Sequence, residues 1–164
     1  WGLIILFVSH LIGFIGGSYN FGSWIEFFKW VGLGGGIIFL YGASWAFLRR
    51  IFIPQVKAMS TPDDYIMLLL LILIAALGIY QSAIEMVFGV SFLAGPWIAS
   101  IFKLQPDVSA ISAAPLINKL HIIIAFLFFA YFPFTKLVHF ASYPFGYINR
   151  PYVSMRTKKD KEAE

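Results

Sequence analysis

The chain has 164 residues, of which 60% are hydrophobic and only 12% charged, and its formal net charge is +4. Water-soluble domains carry about 45–50% apolar and about 25% charged residues, so this composition excludes a water-soluble enzyme and a disordered chain. The sequence has no cysteine, which excludes disulfides, zinc ribbons, thiol catalysis and Fe–S ligation by this chain. Its basic residues flank apolar runs, which indicates membrane orientation rather than nucleic-acid binding.

Four apolar segments predict an all-α integral membrane protein, a transmembrane helix bundle. They cover approximately residues 1–15, 28–48, 65–90 and 116–137. About 20 apolar residues span a bilayer, and lipid offers no partner for backbone polar groups, so such spans must be helices. The first segment is short, and we expect its helix to begin before Trp1. The bundle is expected in residues 1–146, followed by a polar tail in residues 147–164.

The links between these segments predict the orientation of the bundle. The link at residues 49–64 and the tail lie on the same side of the membrane, because an even number of spans separates them. Both are basic; their positive residues are Arg49, Arg50, Lys57, Arg150, Arg156, Lys158, Lys159 and Lys161. The positive-inside rule therefore places both, and with them the C-terminus, in the cytoplasm. The charge-poor links at residues 16–27 and 88–115 then face outward.

Three histidines lie on or near the spans, and a polar residue at membrane depth needs a reason. For a single histidine, an interhelical hydrogen bond is the simpler explanation. His121 and His139, however, are 18 residues apart, which is five helical turns. They would share one face of a straight helix, about 27 Å apart. One imidazole near each side of a hydrocarbon core about 30 Å thick is the arrangement that a membrane cytochrome b with two haems needs.

The direction of the helices predicts which imidazoles pair. The first span runs outward and the fourth inward, so His10 and His121 both lie near the outer face. His139 lies near the cytoplasmic face and has no partner at its depth. We expect that partner in the part of the first helix that precedes Trp1.

The segment Lys119-Leu-His121, with Phe132-Pro-Phe-Thr-Lys136-Leu-Val-His139 further on, resembles the last helix of the gamma subunit of respiratory nitrate reductase. Gly146-Tyr-Ile-Asn-Arg150-Pro-Tyr and Gly95-Pro-Trp resemble the family's following segment and outer loop. Phe7-Val-Ser-His10 and Arg49-Arg-Ile-Phe-Ile-Pro54 resemble its earlier helices. The last-helix motif is specific, and the other pieces support it.

The resemblance implies five transmembrane helices in the full-length protein, two b-type haems and a quinol site. His10 and His121 would ligate the outer haem iron, and His139 the inner haem iron together with a histidine upstream of Trp1. Electrons would pass from menaquinol or ubiquinol through the haems to an Fe–S subunit, and a molybdenum subunit would reduce nitrate. The protein would lie in the cell membrane, with lipid around it.

Other polar residues have two interpretations each. Ser9, Glu26 and Lys29 are candidates for the quinol site together with His10, although Lys29 is equally typical of an interfacial anchor. Arg49, Arg50 and Lys136 are candidates for haem propionates, or anchors at the cytoplasmic face. Glu85 lies late in the third span and has no assigned role.

Two other functions fit parts of the pattern. A related cytochrome b of a sulfite-reducing or heterodisulfide-reducing complex would share the haem helices. A small transporter or channel with structural histidines would hold no haem, but the spacing of His121 and His139 and the matched depth of His10 argue against it.

Overall fold

The structure, a computed structural model, describes residues 1–19, 22–89 and 94–138. Throughout these ranges the regular structure is helical. The helices are α1 (Gly2–Tyr19), α2 (Ser23–Phe52), α3 (Pro54–Ala58), α4 (Pro62–Phe88), α5 (Ala94–Phe102), α6 (Val108–Ser112) and α7 (Leu116–Tyr131), which a 3-10 turn at Phe132–Phe134 follows. His139 and the predicted tail lie outside the described residues.

Three apolar stretches of the described chain are long enough to cross a membrane. They are α2, α4 and the stretch Leu116–Phe134, whereas the apolar part of α1, Gly2–Gly16, is shorter. Large apolar side chains cover the surface of these helices; Phe7 is 68% exposed and Trp45 57%. Such a surface is stable in lipid and not in water, so the all-helical membrane fold predicted from composition is supported.

The α4 helix begins at Pro62, three residues before the apolar segment expected at residues 65–90. Pro62 occupies the first turn, and Thr61 and Asp64 form a capping box. The Asp64 carboxylate accepts hydrogen bonds from the Thr61 backbone N–H at 2.9 Å and from its hydroxyl at 3.2 Å. These bonds satisfy polar groups that a helix terminus otherwise leaves free.

The end of α7 differs from the prediction. The α-helix ends at Tyr131, and the 3-10 turn that follows contains Pro133. Proline lacks the backbone N–H that a continuing helix needs and clashes with the preceding turn. Thr135 is then extended, with φ −100° and ψ 161°. The expectation of one straight helix running to residue 137, on which the five-turn spacing to His139 rested, is therefore wrong.

The long helices form an antiparallel row. α1 packs on α2, α2 on α4 and α4 on α7, and α5 folds back against α1. Trp97 of α5 also contacts Phe126 of α7, with ring centroids 6.5 Å apart. We call the end of the bundle where α4 terminates the Phe88 end, and the opposite one, where α4 begins, the Pro62 end. The predicted topology places the Phe88 end outside.

Small residues allow α1 and α2 to approach closely. A Cβ atom on Gly2 would lie 2.6 Å from the backbone nitrogen of Phe39, and one on Gly35 would lie 2.6 Å from Cγ2 of Ile5. Interfaces between membrane helices favour small residues for this reason, since lipid provides no hydrophobic drive for helix association. The contact fixes the height of α1 against its neighbours.

A methyl group at this interface is expected to be costly. Gly35→Ala should lower the free energy of unfolding by about 1–3 kcal/mol, because over-packing forces the two backbones apart. Thermal unfolding of the purified protein in detergent measures this. Gly34→Ala is the matched control, since a Cβ there meets no atom within 4 Å. Equal midpoints for the two variants would contradict the close approach.

Candidate functional site

The imidazoles of His10 on α1 and His121 on α7 are neighbours. Their ring centroids are 6.5 Å apart, and their planes differ by 10°. In the described residues, the backbones of α1 and α7 make no extensive contact of their own, so the rings lie across a gap between the two helices. The sequence prediction that these histidines lie at the same depth agrees with this contact.

Hydrogen bonding orients the His10 ring. Its Nδ1 lies 2.8 Å from the backbone carbonyl oxygen of Leu6, one turn earlier on α1. With the proton on Nδ1, that nitrogen donates to the carbonyl, and Nε2 keeps its lone pair for a ligand. Histidines that bind metals usually hold their other ring nitrogen in this way. Phe14 contacts the ring edge-on at 5.9 Å.

A glycine on α4 makes room for the ring of His121. A Cβ atom on Gly78 would lie 3.2 Å from Cε1 of His121 and 3.6 Å from its Nδ1. The Nδ1 atom is buried, and no described atom meets hydrogen-bond geometry with it, although the backbone of Ile74, one turn before Gly78, interacts with the ring. The Nδ1 edge of the ring therefore packs against α4.

The centroid distance between the two rings is close to that of two imidazoles that would each bind one metal ion through a nitrogen. An ion midway between the centroids, which are 6.5 Å apart, would be half that distance from each. A bond of about 2 Å from metal to nitrogen, plus about 1.1 Å from nitrogen to ring centre, requires nearly the same value. No group of three or more His, Cys, Asp or Glu that could hold a metal ion occurs in the described ranges. The pair therefore fits a metal whose remaining donors come from a prosthetic group, such as haem.

Ser9 lies on a different side of α1 from the imidazole gap. Its side chain packs on α2, where a Cβ on Gly32 would meet the Ser9 Cβ at 3.2 Å. The hydroxyl oxygen is buried and has no hydrogen-bond partner among the described atoms. The structure thus places Ser9, a predicted quinol contact, at the α1–α2 interface.

An ion-pair cluster lies near the Phe88 end of the bundle. The Lys29 Nζ on α2 donates to carboxylate oxygens of Glu26 and Glu85, both at 2.7 Å. Lys29 and Glu85 are each 26% exposed, whereas Glu26 is 68% exposed. The sequence predicted Lys29 and Glu26 as site residues but left Glu85 unassigned. A single carboxylate late in an apolar span was the available signal.

The predicted propionate ligands lie at the Pro62 end. The Lys136 Nζ donates to the buried carboxylate of Asp64 at 2.8 Å, a partner that the sequence did not predict. Arg50 donates from Nη1 to the carbonyl of Ala46, and its Nε is buried without a described partner. Arg49 is exposed. These residues form the cytoplasmic side of the predicted topology.

Fold and site together define a helical membrane protein with an imidazole pair between its first and last described long helices. The family described as nitrate reductase gamma subunit matches residues 1–158. The chain is 30% identical over 168 residues to the nitrate reductase gamma chain of Bacillus subtilis. The aligned region covers 96% of this chain and 75% of that protein. The chain belongs to the nitrate reductase gamma subunit family, and is thus a membrane subunit of an electron-transporting oxidoreductase complex.

Two further relatives extend the comparison. The respiratory nitrate reductase 1 gamma chain of Escherichia coli is 27% identical over 167 residues, covering 96% of this chain and 74% of its own length. The nitrate reductase-like protein NarX of Mycobacterium tuberculosis is 28% identical over 177 residues, which are 98% of this chain but only 26% of that protein. The same segment therefore also occurs within a longer chain.

Proposed function

We propose that this chain is the membrane cytochrome b of a nitrate reductase complex, which oxidises quinol near the Phe88 end and passes electrons through two b haems to a cytoplasmic Fe–S subunit. The observation that carries the proposal is the His10–His121 pair, with ring centroids 6.5 Å apart and nearly parallel planes. A haem held there would supply one-electron chemistry at its iron. The protein fixes the position of that group and its exposure to substrate.

His10 and His121 are the proposed axial ligands of the outer haem iron. The bond from His10 to the Leu6 carbonyl fixes the ring and directs Nε2 away from its own helix. His139 is the proposed ligand of a second haem on the predicted cytoplasmic side. Arg49 and Arg50, whose Nε is buried without a described partner, are candidates to pair with its propionates. Lys136 is less suited to pair with a propionate, because it already binds Asp64.

Lys29 is the proposed contact for a quinol oxygen. An ammonium group has three N–H donors, and in the described structure two of them bind Glu26 and Glu85. The third is available to a ligand oxygen. Lys29 precedes Gly32, which packs on Ser9, by three residues or about 4.5 Å along the axis of α2. This places Lys29 within about one turn of the height of His10, which is exposed.

The proposed partners are an Fe–S subunit and a molybdenum subunit that reduces nitrate. Residues 1–164 contain no cysteine, so the thiolates of an Fe–S cluster would be supplied from outside these residues. Membership of the gamma subunit family favours a nitrate reductase complex over a sulfite- or heterodisulfide-reducing one, and disfavours a transporter. The substrate is menaquinol or ubiquinol, drawn from the surrounding lipid.

Haem content per polypeptide, with the dithionite-reduced spectrum of the purified full-length protein, tests this proposal. We expect two b-type haems per chain. One haem would remove His139 from the proposed ligands, and none would reject the cytochrome.

Gly78 offers a test of the position of His121. Gly78→Ala is expected to displace the His121 ring by a few tenths of an ångström, since its Cβ would lie 3.2 Å from Cε1. Changed axial coordination should shift the low-spin electron paramagnetic resonance signal of one haem and leave the other unchanged. Gly42→Ala is the control, because a Cβ there meets no atom within 4 Å. Identical signals in both variants would argue against His121 as a ligand.

A further inference from the structure

We propose that Glu85 is the proton acceptor of quinol oxidation and acts through Lys29. The inference rests on the proposed function and goes beyond it by assigning a relay residue. It stands on the two ion pairs that join Glu85 to Lys29 and Lys29 to Glu26. They form a continuous connection from a largely covered carboxylate on α4 to an exposed one on α2.

The position of the cluster suits a substrate that enters from the bilayer. Lys29 lies close to the height of His10, as the packing of Ser9 on Gly32 shows. Glu85 follows Gly78, the neighbour of His121, by seven residues, which is about 10 Å along α4 towards the Phe88 end. The carboxylate therefore lies between the imidazole pair and the surface to which protons would be released.

The charge of the cluster favours uptake of a proton. One ammonium faces two carboxylates, so the ionised trio carries a net charge of −1, which is costly beside lipid. Of the charged side chains on the neighbouring helices, Lys119 of α7 donates to the carbonyl of Ser112 at 2.7 Å, and α1 contributes none. One added proton makes the trio neutral.

The proton step balances as follows. Lys29 gives one of its protons to the Glu85 carboxylate, and the resulting amine takes the hydroxyl proton of the quinol. The quinol O–H bond breaks and a Glu85 O–H bond forms. Oxidation to the quinone releases a second proton, which follows the same path once Glu85 has discharged the first. A haem held by the imidazole pair would accept the two electrons one at a time. Glu85 then returns the proton to Lys29, whose ammonium group releases it to water at the Phe88 end of the bundle.

The test compares Glu85→Gln with Glu26→Gln in the complete complex. Glutamine keeps the shape of glutamate and can accept a hydrogen bond from Lys29, but it cannot take up the proton. We expect Glu85→Gln to lower kcat for quinol oxidation at least about a hundredfold, the low end of the effects that acid–base groups have. Haem content and the affinity for a non-reacting quinol analogue should stay within about twofold of the wild type, since a relay residue does not bind the substrate. Glu26→Gln, which removes the exposed carboxylate from the same lysine, should lower kcat less than about threefold.

Equal losses in the two variants, unchanged turnover in Glu85→Gln, or a loss of analogue affinity as large as the loss of kcat would each overturn the inference. If Glu85→Gln does not assemble, Glu85→Asp takes its place. It retains a carboxylate and should keep at least about a third of the wild-type kcat, whereas a loss of tenfold or more would overturn the relay. If quinol cannot reduce the haems of the wild-type complex, the proposed function itself is wrong. The two failures are therefore distinguishable.

Discussion

His10→Ala and His121→Ala should each remove one b haem and abolish electron transfer from quinol. Each variant deletes one of the two proposed haem ligands, whose ring centroids lie 6.5 Å apart, and a single imidazole would not hold the group as the pair would. We expect haem content to fall from two to one per chain and quinol-driven turnover to fall at least about a hundredfold. The reduced spectrum and the turnover of the complete complex measure both effects.

Leu11→Ala is the matched control for the histidine variants. Leu11 follows His10 on α1 and is 48% exposed, so truncating it changes the lipid-facing surface and spares the imidazole gap. It should keep both haems. If either histidine variant retains two low-spin haems, the pairing is wrong.

Lys29→Ala is expected to weaken the binding of a quinol analogue while both haems stay in place. A hydrogen bond from a charged donor contributes about 1.5–3 kcal/mol, so the Kd of the analogue should rise about 10- to 150-fold. The variant also leaves Glu26 and Glu85 without their shared cation, which adds repulsion to any electron-rich ligand oxygen. Titration of the analogue against the haem spectrum gives the Kd.

The control for Lys29 is Lys103→Ala. Lys103 is an exposed lysine in the link that follows α5 and has no contact with the cluster among the described residues. The Kd of the quinol analogue for Lys103→Ala should equal that for the wild type. An unchanged Kd in Lys29→Ala would make this lysine an interfacial anchor.

Local chemistry made several elements of the fold predictable. Thr61, Pro62 and Asp64 carry the whole capping box within four residues, so the start of α4 could be read directly. Hydropathy did not predict the end of α7, because apolar residues continue beyond Tyr131 and hydropathy does not distinguish an α-helix from a 3-10 turn. Pro133 was the local signal for that ending.

The residues of the candidate site also fall into those that the sequence predicted and those that only the structure brings together. The pairing of His10 with His121 followed from the direction and depth of two spans, which residue counts define. The ion pairs Lys29–Glu85 and Lys136–Asp64 join residues 56 and 72 positions apart, and only helix packing brings them together. Gly78 was equally hidden, because a glycine in a leucine-rich span reveals its neighbour only in three dimensions.

The imidazole pair also orders the biogenesis of the protein. His10 belongs to the first described helix and His121 to the last long one, so a nascent chain with only α1, α2 and α4 in the bilayer holds half of the pair. Insertion of the proposed haem would then follow the arrival of α7, and the bound group would link α1 directly to α7. Before the group binds, the described parts of α1 and α7 are connected mainly through α2, α4 and α5. A chain that stalls before α7 would therefore lack one of the two proposed ligands and could not hold the haem between them.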